Sequence, residues 1–159
     1  MIGIISDTHE NEDAVKKAVA LFKQKNVDFV VHCGDIVSPP MLEHFKDLKM
    51  KFVYGNNDGE REGLKEMCRK LGFDEIKDEI EFMHNGKKFY AYHGTKSKIL
   101  NGAIQSNKYD YILTGHTHQK RDDKVGKTRI INPGALFRVY PCTVALLDLE
   151  NDKLDFCQV

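Results

Sequence analysis

Ile4-Ile5-Ser6-Asp7-Thr8-His9 decides how the rest of the chain is read. A short apolar run with β-branched residues stops abruptly at an aspartate and a histidine two residues apart. At the carboxyl end of a central strand the backbone is rigid and the next residues face a crevice, so an oxygen and an imidazole there can converge on one cation. Alone, the pair is also an ordinary strand end with an N-cap for the following helix. Its weight comes from repetition. Phe29-Val30-Val31-His32-Cys33 ends in Gly34-Asp35, and Lys51-Phe52-Val53-Tyr54 ends in Gly55-Asn56-Asn57-Asp58. Lys88-Phe89-Tyr90-Ala91-Tyr92 ends in His93-Gly94, and Tyr111-Ile112-Leu113-Thr114 ends in Gly115-His116-Thr117-His118. Five strand-like runs thus stop at oxygen or imidazole donors, usually beside a glycine, which permits the tight turns and close backbone approach that a crowded ion site needs.

Working outward, the segment after the first run carries Val15, Ala18, Val19 and Phe22 at helical spacing, one apolar stripe over roughly Glu10 to Lys25. Ser38-Pro39-Pro40 is a helix-start signal, and Met41, Leu42, Phe45 and Leu48 mark a second amphipathic helix. Leu64, Met67, Cys68 and Leu71 give a third, closed by Gly72. This alternation favours parallel strands joined by right-handed crossovers, with helices on the sheet faces. The pattern then changes. Asp74 to Met83 and Lys87 to Tyr92 read as a hairpin around Asn85-Gly86. A fourth helix is expected over Lys96 to Asn107, with Ile99, Leu100, Ala103 and Ile104 inward. Short strands follow near Gln119 to Val125, Thr128 to Ile131, Cys142 to Asp148 and Leu154 to Cys157. The whole chain, residues 1–159, reads as one α/β domain with two sheets.

Composition narrows the function. A chain of 159 residues buries a substantial core without disulfides or structural metals. Lysine plus arginine and aspartate plus glutamate number 24 each, so the net charge is zero and no basic field exists to hold a nucleic acid backbone. No apolar run approaches the ~20 residues of a membrane span, and the sequence opens on a strand rather than a charged leader, so a soluble, cytoplasmic protein is expected. Cys33, Cys68, Cys142 and Cys157 form no Cys-x-x-Cys pair and read as small buried or half-buried hydrophobes.

The ordered set Asp7-x-His9, Gly34-Asp35, Gly55-Asn56, His93-Gly94 and Gly115-His116-x-His118 resembles the calcineurin-like metallophosphoesterase superfamily. The small size, the Gly55-Asn56-Asn57-Asp58 turn and Ile131-Asn132-Pro133-Gly134 are most similar to its compact, YfcE-like bacterial and archaeal phosphodiesterase branch. The resemblance implies a four-layer α/β/β/α sandwich with two central mixed sheets and a two-metal site at their strand ends. It assigns Asp7, His9 and His118 to one metal, Asn56, His93 and His116 to the other, and Asp35 to a bridge between them. Two divalent ions per subunit would then activate the attacking water on a small phosphate ester, with no protein nucleophile. Imidazole, carboxylate and amide donors suit manganese, the favoured ion, and also nickel, cobalt, iron or zinc.

Three positions depart from the broader pattern. Asn57 stands where many members have a histidine that protonates the leaving group, and an amide cannot do this near neutral pH. Ser38 replaces a carboxylate behind the ligands, and Thr95 stands where relatives have a second histidine after His-Gly. These departures keep a different class in view, a scaffold or interaction protein of the same fold that has lost turnover, and phosphomonoesters remain an alternative substrate. His32 reads as a satisfied core residue, His44 and His84 as solvated, and Arg61 as a solvated helix-start charge. Asn132 to Gly134 reads as a plain turn. Exposed sheet edges, and the frequency of dimers among such relatives, lead to the expectation of a homodimer.

Overall fold

A computed structural model describes all residues 1–159. The first half alternates β1 (Ile2–Ile5), α1 (Glu12–Gln24), β2 (Phe29–His32), a 3₁₀ segment (Pro39–Phe45), β3 (Met50–Phe52) and α2 (Arg61–Leu71). The second half runs β4 (Glu79–His84), β5 (Lys87–Tyr92), α3 (Ser97–Gln105), β6 (Tyr111–Leu113), β7 (Lys120–Val125), β8 (Thr128–Pro133), β9 (Thr143–Asp148) and β10 (Lys153–Gln158). They form two five-stranded sheets, in the orders β10-β9-β1-β2-β3 and β4-β5-β6-β8-β7. Both are mixed: β1, β2 and β3 are parallel, as are β5, β6 and β8, while β9, β10, β4 and β7 join antiparallel.

Period-two alternation explains the layering. In β1, Ile2 and Ile4 point into the space between the sheets, where they meet Val31, Phe89, Leu113, Ile131 and Ala145. Ile5 points the other way, into a core that α1, the 3₁₀ segment and α2 cover with Val15, Phe22, Phe45 and Leu64. The outer face of the second sheet is covered by α3, whose Ile104 packs on Tyr90, Ile112 and Ile130. The result is the four-layer sandwich, with each fully buried aliphatic side chain contributing about 1.5–3 kcal/mol. Phe89 stacks between Phe82 and Tyr111 at 4.9 Å on either side, which ties β4 to β5 and β5 to β6. Such pairs add about 0.5–1.5 kcal/mol beyond area burial.

The helix ends follow local rules. The Asn11 side chain accepts from the Ala14 N–H at 3.3 Å, and Glu12 and Asp13 occupy the positive first turn of α1. α2 ends at Gly72 in the left-handed region.

Four expectations are corrected. Pro39–Phe45 is a 3₁₀ segment rather than an α-helix, closed by short-range bonds such as Met41 N–H to Ser38 O at 3.1 Å. The three-residue bonding pattern persists to its end, where the Lys46 N–H donates to Glu43 O at 3.3 Å, and Ser38 adds no side-chain cap to favour a longer helix. The strand expected from Asp74 begins at Glu79, because Ile76, 2% exposed, anchors in the first-sheet core and the chain must cross to the second sheet. In α3, Leu100 and Ala103 pack inward with Ile104, but Ile99 is 40% exposed. His44 and His84 are half-buried rather than solvated. His44 lies 3.7 Å from Glu12, and His84 packs edge-on against Phe29 at 4.9 Å. No helix is long and apolar enough to cross a membrane.

Candidate metal centre

The loops leaving β1, β2, β3, β5 and β6 at their carboxyl ends meet across the two sheets. Asp7 N–H donates to Gly34 O at 3.0 Å, His9 N–H to Asp35 O at 3.0 Å, and Gly115 N–H to His93 O at 2.9 Å, so the loops are stitched by backbone bonds. Asp7, His9, Asp35, His116 and His118 all have φ between +46° and +69°. Non-glycine residues held there cost on the order of 1–3 kcal/mol each and persist only when the surroundings over-determine them, as at functional sites. Two glycines are required by close approach. A Cβ on Gly55 would lie 2.2 Å from Asp35 Oδ1, and one on Gly115 would lie 1.9 Å from Ser6 Oγ.

Two groups of donor atoms result. Asp7, His9 and His118 present theirs within 4.8 Å of one another, and so do Asp7, Asp35 and His93. His118 Nε2 is 3.2 Å from Asp7 Oδ1, and His9 Nε2 is 3.6 Å from Asp35 Oδ2. Asp7 Oδ2 accepts from Ser6 Oγ at 2.6 Å and from the His116 N–H at 3.0 Å. Its Oδ1, like His9 Nε2, is buried without any hydrogen-bond partner. Orphaned buried polar atoms cost about 1–3 kcal/mol each. A divalent cation would satisfy both, so the residues fit one.

His93 is oriented by the second sheet's contact with the first. Its Nδ1 lies 2.7 Å from Cys33 O, so that nitrogen carries the proton and Nε2 faces the carboxylates. Asn56 Oδ1 is 3.1 Å from the same Nε2. The His116 imidazole does not join either close group. It is exposed and stands edge-on to His93 at 5.1 Å. Asp35 Oδ1 accepts the Asn57 N–H at 2.8 Å, and Oδ2 accepts the Asn57 amide at 2.7 Å.

The electrostatics follow from burial and these contacts. Burial raises the Asp7 carboxyl, with His93, Ser6 and His118 offsetting part of the effect. At Asp35 burial opposes ionisation, but the adjacent His93 imidazole and the hydrogen bonds from Asn57 outweigh it and hold the carboxyl below its ordinary range. Burial lowers His93, yet Asp35 and Asp7 more than compensate and its value rises. His9 is lowered, chiefly by burial.

Several supporting residues carry no strong sequence signal. Asp58, 2% exposed, accepts the backbone N–H groups of Ile36, Val37 and Gly55 at 2.7 Å and of Asp35 at 3.0 Å, gathering two ligand loops on one carboxylate. Its presence in the Gly-Asn-Asn-Asp turn was the only clue. Asn132, read as part of a plain turn, lies within β8 one residue from its end and donates to Gly115 O at 2.7 Å and Thr117 Oγ1 at 3.1 Å, bracing the loop between them. His32 is buried as expected, and it also links two loops: Nδ1 accepts from Gly34 N–H at 3.2 Å while Nε2 donates to Thr8 Oγ1 at 3.0 Å. Phe137 stacks on His9 at 4.0 Å, with Arg138 over its ring at 4.9 Å. Arg61 is tied to Asp78 at 2.8 Å and lies over Tyr54 at 4.2 Å, beside a cleft that opens at Asn56.

Two facing mixed sheets with buried carboxylate and imidazole donors at their strand ends define a class of metal-dependent phosphoester hydrolases. Residues 1–152 match the calcineurin-like phosphoesterase superfamily domain, and the chain belongs to that family. It is 38% identical over 157 residues to a phosphodiesterase of Methanocaldococcus jannaschii, covering 96% of this chain and 95% of that one. A solved archaeal phosphodiesterase superposes with a TM-score of 0.93 at 36% identity, covering 99% of each chain. The YfcE phosphoesterase of E. coli shares the fold, with a TM-score of 0.74 at 17% identity over 99% of this chain and 98% of that one.

Proposed function

We propose that the chain is a phosphodiesterase that hydrolyses small phosphate diesters with the help of two divalent cations. Asp7, His9 and His118 would hold one cation, Asn56, His93 and His116 the other, and Asp35 would span both. The observation that carries this reading is the pair of orphaned buried atoms, His9 Nε2 in one donor group and Oδ1 of Asp7, the residue that both donor groups share. A scaffold that had lost turnover would bear that cost with no return. Cations bound there, with manganese favoured among divalent ions, would acidify the attacking water and neutralise charge on the phosphoryl oxygens.

The chain's own residues supply position. Asn57 keeps Asp35 ionised and fixed through both carboxylate oxygens. Cys33 O fixes the His93 tautomer. No imidazole stands at residue 57 to protonate the departing oxygen, and the amide there is committed to Asp35, so diesters with acidic alcohols are the preferred substrates. All four cysteines are free, which suits a reducing cytoplasm. The unpaired edges of β3, β10, β4 and β7 supply surface for a homodimer. The test is a panel of mono- and diesters assayed with metal analysis: a preference for monoesters, or hydrolysis by metal-free protein, would contradict the reading.

A further inference from the structure

We infer that the cleft beside the metal centre binds one ester arm of the diester, an alcohol of nucleoside size carrying a flat, hydrogen-bonding ring. The inference rests on the phosphodiesterase reading. The cleft has a volume of about 640 Å³, within the ~300–1,000 Å³ of ordinary ligand pockets. Gly55 and Asn56 line one end of it, and Thr95 Oγ1 donates to Asn56 Oδ1 at 3.4 Å. A phosphoryl group seated on the donor groups therefore delivers one of its two arms into this space.

The walls favour a flat guest. The Arg61 guanidinium is already packed over Tyr54 at 4.2 Å and held by Asp78 at 2.8 Å, leaving a planar face preorganised for stacking. Ile99, a large apolar side chain left 40% exposed, supplies an apolar surface in the same cleft. Its exposure is what the helical pattern failed to anticipate, and a bound ring would cover it. The charges of Arg61 and Lys96 are balanced by Asp78 and Glu79, so the cleft offers donors and acceptors without a net field for a second phosphate. That combination matches a heterocycle with polar edges better than an inorganic polyphosphate or a lipid tail.

The test compares two diesters with the same leaving group, thymidine 5′-(p-nitrophenyl) phosphate and methyl p-nitrophenyl phosphate, on metal-loaded enzyme. The nucleoside diester is expected to have at least about tenfold higher kcat/KM, mainly through KM, and Ile99→Asp and Arg61→Ala are each expected to remove most of that advantage. In NMR titrations thymidine 5′-monophosphate is expected to shift the amides of Tyr92, Lys96 and Ile99, whereas methyl phosphate is not. Equal kcat/KM for the two diesters, an advantage that survives both substitutions, or nucleotide-induced shifts confined to other residues would overturn the inference and leave the phosphodiesterase reading standing. Failure to hydrolyse either diester would overturn that reading, and the inference with it.

Discussion

Replacing Asp58 by asparagine is expected to destabilise the protein severely although Asp58 faces no substrate. Oδ1 accepts from Ile36 and Val37, and Oδ2 from Gly55 and Asp35. An amide is nearly the same shape, but whichever way it turns its NH₂ replaces one of those oxygens, and two backbone donors then face a donor. Hydrogen bonds to a charged acceptor contribute about 1.5–3 kcal/mol each, so the loss is about 3–6 kcal/mol. That is a large share of the ~5–15 kcal/mol that holds a typical domain together. At about 2–4 °C per kcal/mol the melting temperature should fall by roughly 6–24 °C in thermal unfolding followed by circular dichroism. Metal content should fall with it, because the turn that loosens carries Asp35. Asp78→Asn is the control: Asp78 is 69% exposed, and its pair with Arg61 contributes ~0–1 kcal/mol. A melting temperature for Asp58→Asn within about 2 °C of the parent would refute the reasoning, since surface-like effects are that small.

Three further outcomes are expected. Burial, helped by the nearby His93, lowers His32 from 6.5 to about 3, so the unfolded state binds more protons between those values; the stability tied to neutral His32 is complete above about pH 6.5 and lost as pH falls toward 3. His32→Gln should therefore flatten the acid limb of the stability curve, by at most about 4–5 kcal/mol at full extent, and an unchanged acid limb would remove this account. Asn57→His should speed alkyl leaving groups more than aryl ones, within the ~10²- to 10⁴-fold range of general acid catalysis; equal effects on both would mean that another group already supplies the proton. Light scattering should give about twice the 18.2 kDa chain mass, and a monomer mass at all concentrations would rule out the dimer.

The strand-end donors were legible because ligands at the tips of buried strands leave a local mark: an apolar run, then Asp, Asn or His, often with glycine. The grouping of His118 with Asp7 and His9, and of His93 with Asp35, could not be derived from spacing, since it depends on two sheets facing each other, and it entered through family resemblance. Asp58 and Asn132 were missed for a related reason. Their targets are backbone amides and carbonyls of other loops, and a backbone partner has no sequence signature. Local periodicity misled where tertiary packing dominated. Pro39–Phe45 closed on short-range bonds as a 3₁₀ segment in place of a helix, Ile76 delayed the start of β4, and Ile99 was turned outward toward a cleft that no pattern encodes.

The central claim is that two divalent cations, joined through Asp35, carry out the hydrolysis. The most direct measurement is metal stoichiometry by elemental analysis, taken with the rate on bis(p-nitrophenyl) phosphate, for the parent and for Asp35→Asn before and after exhaustive chelation. The account predicts two manganese ions per chain and full activity in the loaded parent, no activity after chelation, and loss of both ions and rate in Asp35→Asn. An Asp35→Asn protein that keeps two ions and its rate, or a parent that stays active without metal, would contradict it.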